Sequence, residues 1–453
     1  MSATDKLINY IADLTYEDLP SQAINAVKTH IIDTVGAILA GSMADGAQKV
    51  LDLVKAWGGR SEGTVFVFGE KIPSPNAALV NSVMSRGYDF ETILSGGATH
   101  VSASIIPAAF AIAEYSQVVK HKPITGKDII VAIALGTDLN WRLRVAGGQS
   151  TVMAGGWLAE TFSPPAIAAM GGKILGFEKE KLYYAMGIGY NQCCGTYGTT
   201  VGENGGLMAQ LSQGLGTKAG VLSVLLADAG FTTYKDMIDG RWGLYTMYGD
   251  GLYDTDILTG DLGKRFDSLN PGIKRYPGCG ATQPVVYGTL ALIQKHPIKA
   301  EDIARVRIAV GEASYRLCGE NKAIPSNAAE ALWNHRYSAA VALIKGKVFV
   351  DDFTELAIKD PQVMEFIQKI DVEPEKLLTH GVEVEIKTKD GNSYTMAADD
   401  MNPMSADEIV EKFKKCNCFS KKPLPKENVE HFLRIIHKLE EIENINEVVD
   451  LLI

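Results

Sequence analysis

A mainly α protein with an inserted mixed α+β segment is the fold class this chain predicts, on three observations. Residues 1–269 carry apolar side chains at helical spacing, residues 270–397 turn to strand-like alternation, and residues 398–453 return to helical spacing. The expected architecture is one large helical domain built from both chain ends, 1–269 and 398–453. A smaller α+β domain, 270–397, is inserted between them. At 453 residues the chain exceeds one ordinary core, which agrees with more than one domain.

Each element has its own signal. Ala23, Val27, Ile31, Val35 and Ile38 fall on one helical face, and Gly41 stands where a C-cap glycine belongs. Ser74-Pro75 reads as an N-cap followed by proline in the first turn. Residues 103–118 are apolar nearly all round, predicting a helix buried on every side. Leu207 to Ala227 is another periodic stretch, stopped by Gly230. No strand precedes its Gly214-x-Gly216-x-x-x-Gly220, so the glycines read as helix packing rather than a nucleotide loop. After Asn270-Pro271-Gly272, Arg305–Val310 alternates as a half-buried strand. Val382–Lys387, the turn Lys389-Asp390-Gly391 and Ser393–Met396 read as a hairpin. Helical stretches are expected at 326–346 and 361–370. Ser405-Ala-Asp-Glu408 is a capping box, and 426–452 is an amphipathic helix.

Composition narrows the function. A formal charge of −10 argues against nucleic acid or an anionic membrane as the main partner. The longest apolar run, around Ser104–Ala113, ends at Glu114, short of the ~20 residues a membrane span needs. Neither a signal-peptide pattern nor a disulfide framework is visible in the sequence, so a cytoplasmic protein is expected. Zinc spacings and a P-loop are absent from the sequence, so no metal or nucleotide-loop site is expected, and the absence of Gly-x-Ser-x-Gly removes the strongest hydrolase signal.

What remains is acid–base chemistry. Arg86-Gly-Tyr-Asp89-Phe-Glu91-Thr92, then Thr99-His100-Val-Ser102, places carboxylates, hydroxyls and an imidazole between two apolar helices. Such a polar cluster is costly unless hydrogen-bonded or functional, and it holds the groups proton transfer needs. Lys274-Arg275-Tyr276-Pro277 is a rigid turn suited to presenting a cation to an anion. Tyr337, beside Ala339 and Ala340, is expected to turn inward.

The chain also resembles the MmgE/PrpD family, which includes 2-methylcitrate dehydratase, cis-aconitate decarboxylase and iminodisuccinate epimerase. The likeness is carried by Asp33–Gly41, Ala77–Asn81, Tyr88-Asp89-Phe90-Glu91-Thr92 leading to His100, and Lys173–Gly176. It continues through Gly220–Phe231, Lys274–Cys279 and Ala331–Tyr337. The resemblance implies a lid-like inserted domain, a homodimer without cofactor, and a small carboxylate substrate bound between the domains. It implies Asp89, His100, Lys274 and Tyr337 as catalytic residues. Thr92, Glu91, Arg275 and Gln283 are expected to bind or orient substrate. Three positions depart from the family pattern: Leu158 replaces a second histidine, Ala209-Gln210 falls where tricarboxylate-acting members carry lysine, and Gln283 replaces a third histidine. The expected activity is a lyase reaction at the carbon α to a carboxylate. Epimerisation of a dicarboxylate, or non-catalytic binding of a small anion, are the alternatives.

Overall fold

The computed structural model describes residues 1–94, 99–148, 159–196, 198, 206–269, 271–321, 323–378, 381–399 and 403–453. The principal helices of the first half are α1 (Ala3–Asp13), α2 (Ser21–Gly41), α3 (Asp45–Trp57), α4 (Ser74–Ser85) and α5 (Val101–Val119). They are followed by α6 (Gly126–Ala146), α7 (Ser163–Leu175), α8 (Lys179–Asn191) and α9 (Met208–Asp228). The later segment adds α10 (Gln283–Lys295), α11 (His335–Lys345) and α12 (Pro361–Ile367). The chain ends with α13 (Ala406–Phe419) and α14 (Lys426–His437). A two-stranded ribbon joins β1 (Ile93–Leu94) to β2 (Pro271–Gly272). A four-stranded sheet contains β3 (Ile303–Val310), β4 (Ile370–Pro374), β5 (Val382–Thr388) and β6 (Ser393–Ala398) in the order β4-β3-β5-β6. The fold is mainly α, as the sequence predicts.

Two hydrophobic cores organise these elements. The first joins α1–α9 to residues of α13 and α14, where Phe413 stacks on Phe432 with centroids 5.1 Å apart. The second lies between the sheet and α10–α12, and Tyr88 and Phe90 from the first half plug into it. Asp89 is therefore clamped between two buried aromatic rings, one from each side of its own peptide.

Several local expectations are corrected. Gly41 is the last residue of α2, with Ser42 as its C-cap. A Cβ at Gly41 would run into the Met84 carbonyl, so close approach of α2 to α4 requires the glycine. Helix α4 begins at Ser74 itself, with Pro73 at the cap. The stretch 326–346 breaks before α11, where the Asn334 side chain caps the Tyr337 N–H at 3.0 Å. The end of 361–370 is the start of β4, an edge strand closed by Pro374 and parallel to β3. The expected helix 426–452 stops at His437. The following chain turns to pair with the start of α6, through Gly126 N–H to the Ile442 carbonyl at 2.8 Å and Ile445 N–H to the Ile124 carbonyl at 2.9 Å. Among the described residues no helix is long and apolar enough to cross a membrane.

Candidate active site

The ribbon β1–β2 pairs Ile93 with Gly272 and Leu94 with Pro271, laying the chain before Leu94 beside the chain after Pro271. That register brings Lys274 against Asp89. The Lys274 ammonium, fully buried, donates to the Asp89 carbonyl at 2.8 Å and also to the Asp89 carboxylate. Gly278 N–H reaches back to the Tyr88 carbonyl at 3.0 Å, a second stitch between the same segments. Asp89 itself has φ +49°, an uncommon conformation for a residue with a side chain. The two stitches and the flanking aromatic plugs hold it there.

Arg86, in the turn after α4, donates through one nitrogen to the Asp89 carboxylate and to Glu91 Oε1 at 3.3 Å. Burial would push both carboxyl groups up. Arg86 together with Lys274 and His100 at Asp89, and with His100 and Lys274 at Glu91, outweighs it, and both stay well below the usual carboxylate range. The two acids are thus fixed as carboxylates by two fixed cations.

His100 is the N-cap residue of α5. Its Nδ1 lies 2.6 Å from Glu91 Oε1, off the linear N–H direction, and 3.8 Å from Asp89 Oδ1. Gln213 of α9 holds the His100 carbonyl at 3.1 Å, fixing the backbone behind the ring. With Nδ1 facing the carboxylates, Nε2 is the nitrogen left to meet a substrate. In the same two segments, Asp89 Oδ2, Glu91 Oε2, Thr99 Oγ, Ser102 Oγ and Arg86 Nε are buried and have no hydrogen-bond partner among the described residues. Orphaned polar atoms are rare in folded interiors, and five in one cluster mark a place built to bind something polar.

Other expected site residues have different partners. Thr92 Oγ donates to Asp33 Oδ2 at 2.8 Å. Arg275 forks onto Glu408 of α13, at 2.6 and 3.2 Å, so its charge is directed away from Asp89. Gln283 uses both ends of its amide on the Tyr276 peptide, at 3.0 and 2.8 Å, and so fixes the turn that presents Lys274. Tyr337 does turn inward, but its hydroxyl donates to the Asp352 carbonyl inside the second core. Thr92, Arg275, Gln283 and Tyr337 are thus each engaged by a protein partner in this structure.

One residue that sequence reasoning missed ties the cluster together. Lys412 of α13 is 5 % exposed and donates to Asp33 Oδ1 at 2.7 Å, the Phe90 carbonyl at 2.7 Å and the Lys274 carbonyl at 2.9 Å. Its ammonium also lies 3.8 Å from the centre of the Phe90 ring. It straps α13 to both segments that carry the candidate acid–base groups.

The MmgE/PrpD N-terminal domain matches residues 5–254, and the MmgE/PrpD C-terminal domain matches residues 276–441. The chain belongs to the MmgE/PrpD family. Among curated proteins it is similar to cis-aconitate decarboxylase of Aspergillus terreus, 24% identical over 91% of this chain and 88% of the relative. It is also similar to cis-aconitate decarboxylase of Homo sapiens, 25% identical over 100% of this chain and 94% of the relative. That of Mus musculus is 24% identical over 100% and 93%. Membership and these relatives support an enzyme of the lyase type, decarboxylase or dehydratase.

Against the family pattern, Gln210 donates to the Gly87 carbonyl at 2.8 Å, behind the Arg86 turn. Leu158 lies outside the described residues. Asp89, Glu91 and His100 also bring three potential metal-ligand atoms within 4.8 Å of one another, a set that no sequence motif announced. Arg86 and Lys274 already sit on the same carboxylate oxygens, so the charge a dication would supply is present as two fixed side chains.

Proposed function

We propose that this MmgE/PrpD protein acts, without a cofactor, at the carbon α to a carboxylate of a small di- or tricarboxylate, and that its reaction is decarboxylation. The observation that carries the reading is one imidazole held against two carboxylates, each of which is held by a buried cation. Asp89 and Glu91 orient the ring and balance the charge it bears when protonated. Arg86 and Lys274 keep those carboxylates ionised and supply positive potential where charge develops on the substrate.

In the proposed step the bond from carbon to the leaving carboxylate breaks and releases carbon dioxide. The electron pair stays on carbon, conjugated with a neighbouring unsaturated group. His100 Nε2 then delivers its proton to that carbon. One proton donor is sufficient, whereas loss of water needs a second acid for the departing hydroxyl. The single imidazole of the described cluster therefore favours decarboxylation over dehydration.

The relatives support cis-aconitate as the first compound to assay. Incubation with cis-aconitate and related unsaturated carboxylates should release carbon dioxide, followed by trapping the gas. Loss of water instead would overturn decarboxylation, and inversion without loss of mass would overturn the lyase reading. A homodimer and a catalytic crevice between the two cores belong to the same proposal. Light scattering tests the former.

A further inference from the structure

Two arginines on α6 have opposite surroundings. Arg142 has its guanidinium fully engaged: Nε donates to Asp138 at 2.7 Å, and the terminal nitrogens donate to the carbonyls of Ile257, Gly260 and Arg265 at 2.8–2.9 Å. It is a structural tie. Arg144 is 7 % exposed, and among the described residues its one hydrogen bond is a long 3.5 Å contact to the Gly148 carbonyl. Its Nε has no partner, and no carboxylate lies within ion-pair distance among the described residues. A guanidinium offers five donors in a rigid fork, and burying it with most of them unused is unfavourable unless an anion completes it.

Its place in the fold links it to the acid–base cluster. One turn before it, Asn140 bonds Ser163 Oγ at 2.9 Å, which fixes α6 beside the turn Ala159–Phe162. The Glu160 carboxylate in that turn is within electrostatic reach of both Arg144 and Arg86. The Glu160 carbonyl faces Gly216 of α9, one turn beyond the Gln213 that holds His100. Glu160 thus links Arg144 electrostatically to Arg86, and among the described residues Arg144 has fewer of its donors used than Arg142.

We propose that Arg144 binds a second carboxylate of the substrate, the one remote from the reacting carbon. The inference rests on the carboxylate-lyase reading and deepens it. Lys274 and Arg86 are committed to Asp89 and Glu91, so a polycarboxylate needs another cation for its far end. Arg144 supplies a planar fork that matches a carboxylate in two bonds. The site should therefore prefer dicarboxylates to monocarboxylates of equal length.

The test is titration calorimetry with succinate, citrate and butyrate on the full-length protein, its Arg144→Gln and Arg144→Lys variants. Arg144→Gln should weaken succinate and citrate about 30-fold or more and leave butyrate within about threefold. Arg144→Lys should recover part of the loss, because it restores charge without the fork. Arg144→Gln should melt at or above the parent temperature, since removing an unpaired buried charge relieves the fold. A clear drop in melting temperature, or equal weakening of all three ligands, would overturn the assignment while leaving the carboxylate reading standing. Failure of the parent protein to bind any of the three would overturn both.

Discussion

Lys412→Met is the substitution that most fully exposes how the site is assembled. Methionine keeps much of the apolar stem and removes the ammonium. Asp33, with a side chain 0 % exposed, then loses the cation at 2.7 Å and among the described residues keeps only the Thr92 hydroxyl. The carbonyls of Phe90 and Lys274 each lose an N–H donor. Breaking a buried ion pair by removing one partner costs about 3–5 kcal/mol, and the two carbonyls keep the expectation near the top of that range. Asp33→Asn combined with Lys412→Met removes the stranded charge, so the double variant should recover about 2 kcal/mol relative to the sum of the single losses. Urea unfolding of the four proteins, followed by circular dichroism, gives the cycle. Activity of the folded single variant should also fall, because Phe90 and Lys274 flank the residues Asp89 and His100 depend on. A loss below about 1 kcal/mol, or a strictly additive cycle, would refute the strap.

Three further outcomes follow from other parts of the molecule. His30 is fully buried with neither ring nitrogen bonded, and burial pushes it down to about 4, opposed in part by Asp33. Its unfolded value is near 6.5, so as pH falls below 6.5 the unfolded chain takes up the proton first and stability is lost. The parent should therefore lose about 1.4 kcal/mol per pH unit, about 3 kcal/mol by pH 4, relative to His30→Leu in urea titrations at stepped pH. A constant gap between the two proteins would contradict this. Gly41→Ala should cost about 1–3 kcal/mol by forcing α2 from the Met84 carbonyl, read as a lower urea midpoint. Glu91→Gln, which removes the carboxylate nearest His100, should lower kcat about 10- to 100-fold and shift the pH profile of kcat/KM; an unchanged profile would remove Glu91 from the mechanism.

Much of the fold was legible because its signals are local. The Ser405–Glu408 capping box and the Gly391 turn each depend on neighbours within a turn or two. The strand β4 was missed because five residues ending in proline look like a helix tail until β3 lies beside them. Within the site, Asp89, Glu91 and His100 were readable as a cluster since twelve residues contain all three. Lys412 was not, because Glu411-Lys412-Phe413-Lys414-Lys415 reads as the wet face of an amphipathic helix. Its partner Asp33 is 379 residues away along the chain. Arg142 and Arg144 are alike in sequence, and only the carbonyls and carboxylate around Arg142 separate a tie from a free fork. The bonds of Arg275, Gln283 and Tyr337 were hidden for the same reason: polar side chains near a site take whichever partner the tertiary fold brings closest.

The most direct test of the central claim is proton delivery by His100, followed by nuclear magnetic resonance in deuterated water with cis-aconitate and unsaturated dicarboxylates. The account predicts that the product of the parent enzyme carries one deuterium at the carbon that lost carbon dioxide. It also predicts that His100→Gln forms this product at least 100-fold more slowly, with its urea midpoint little changed. Turnover by His100→Gln at the parent rate would contradict it.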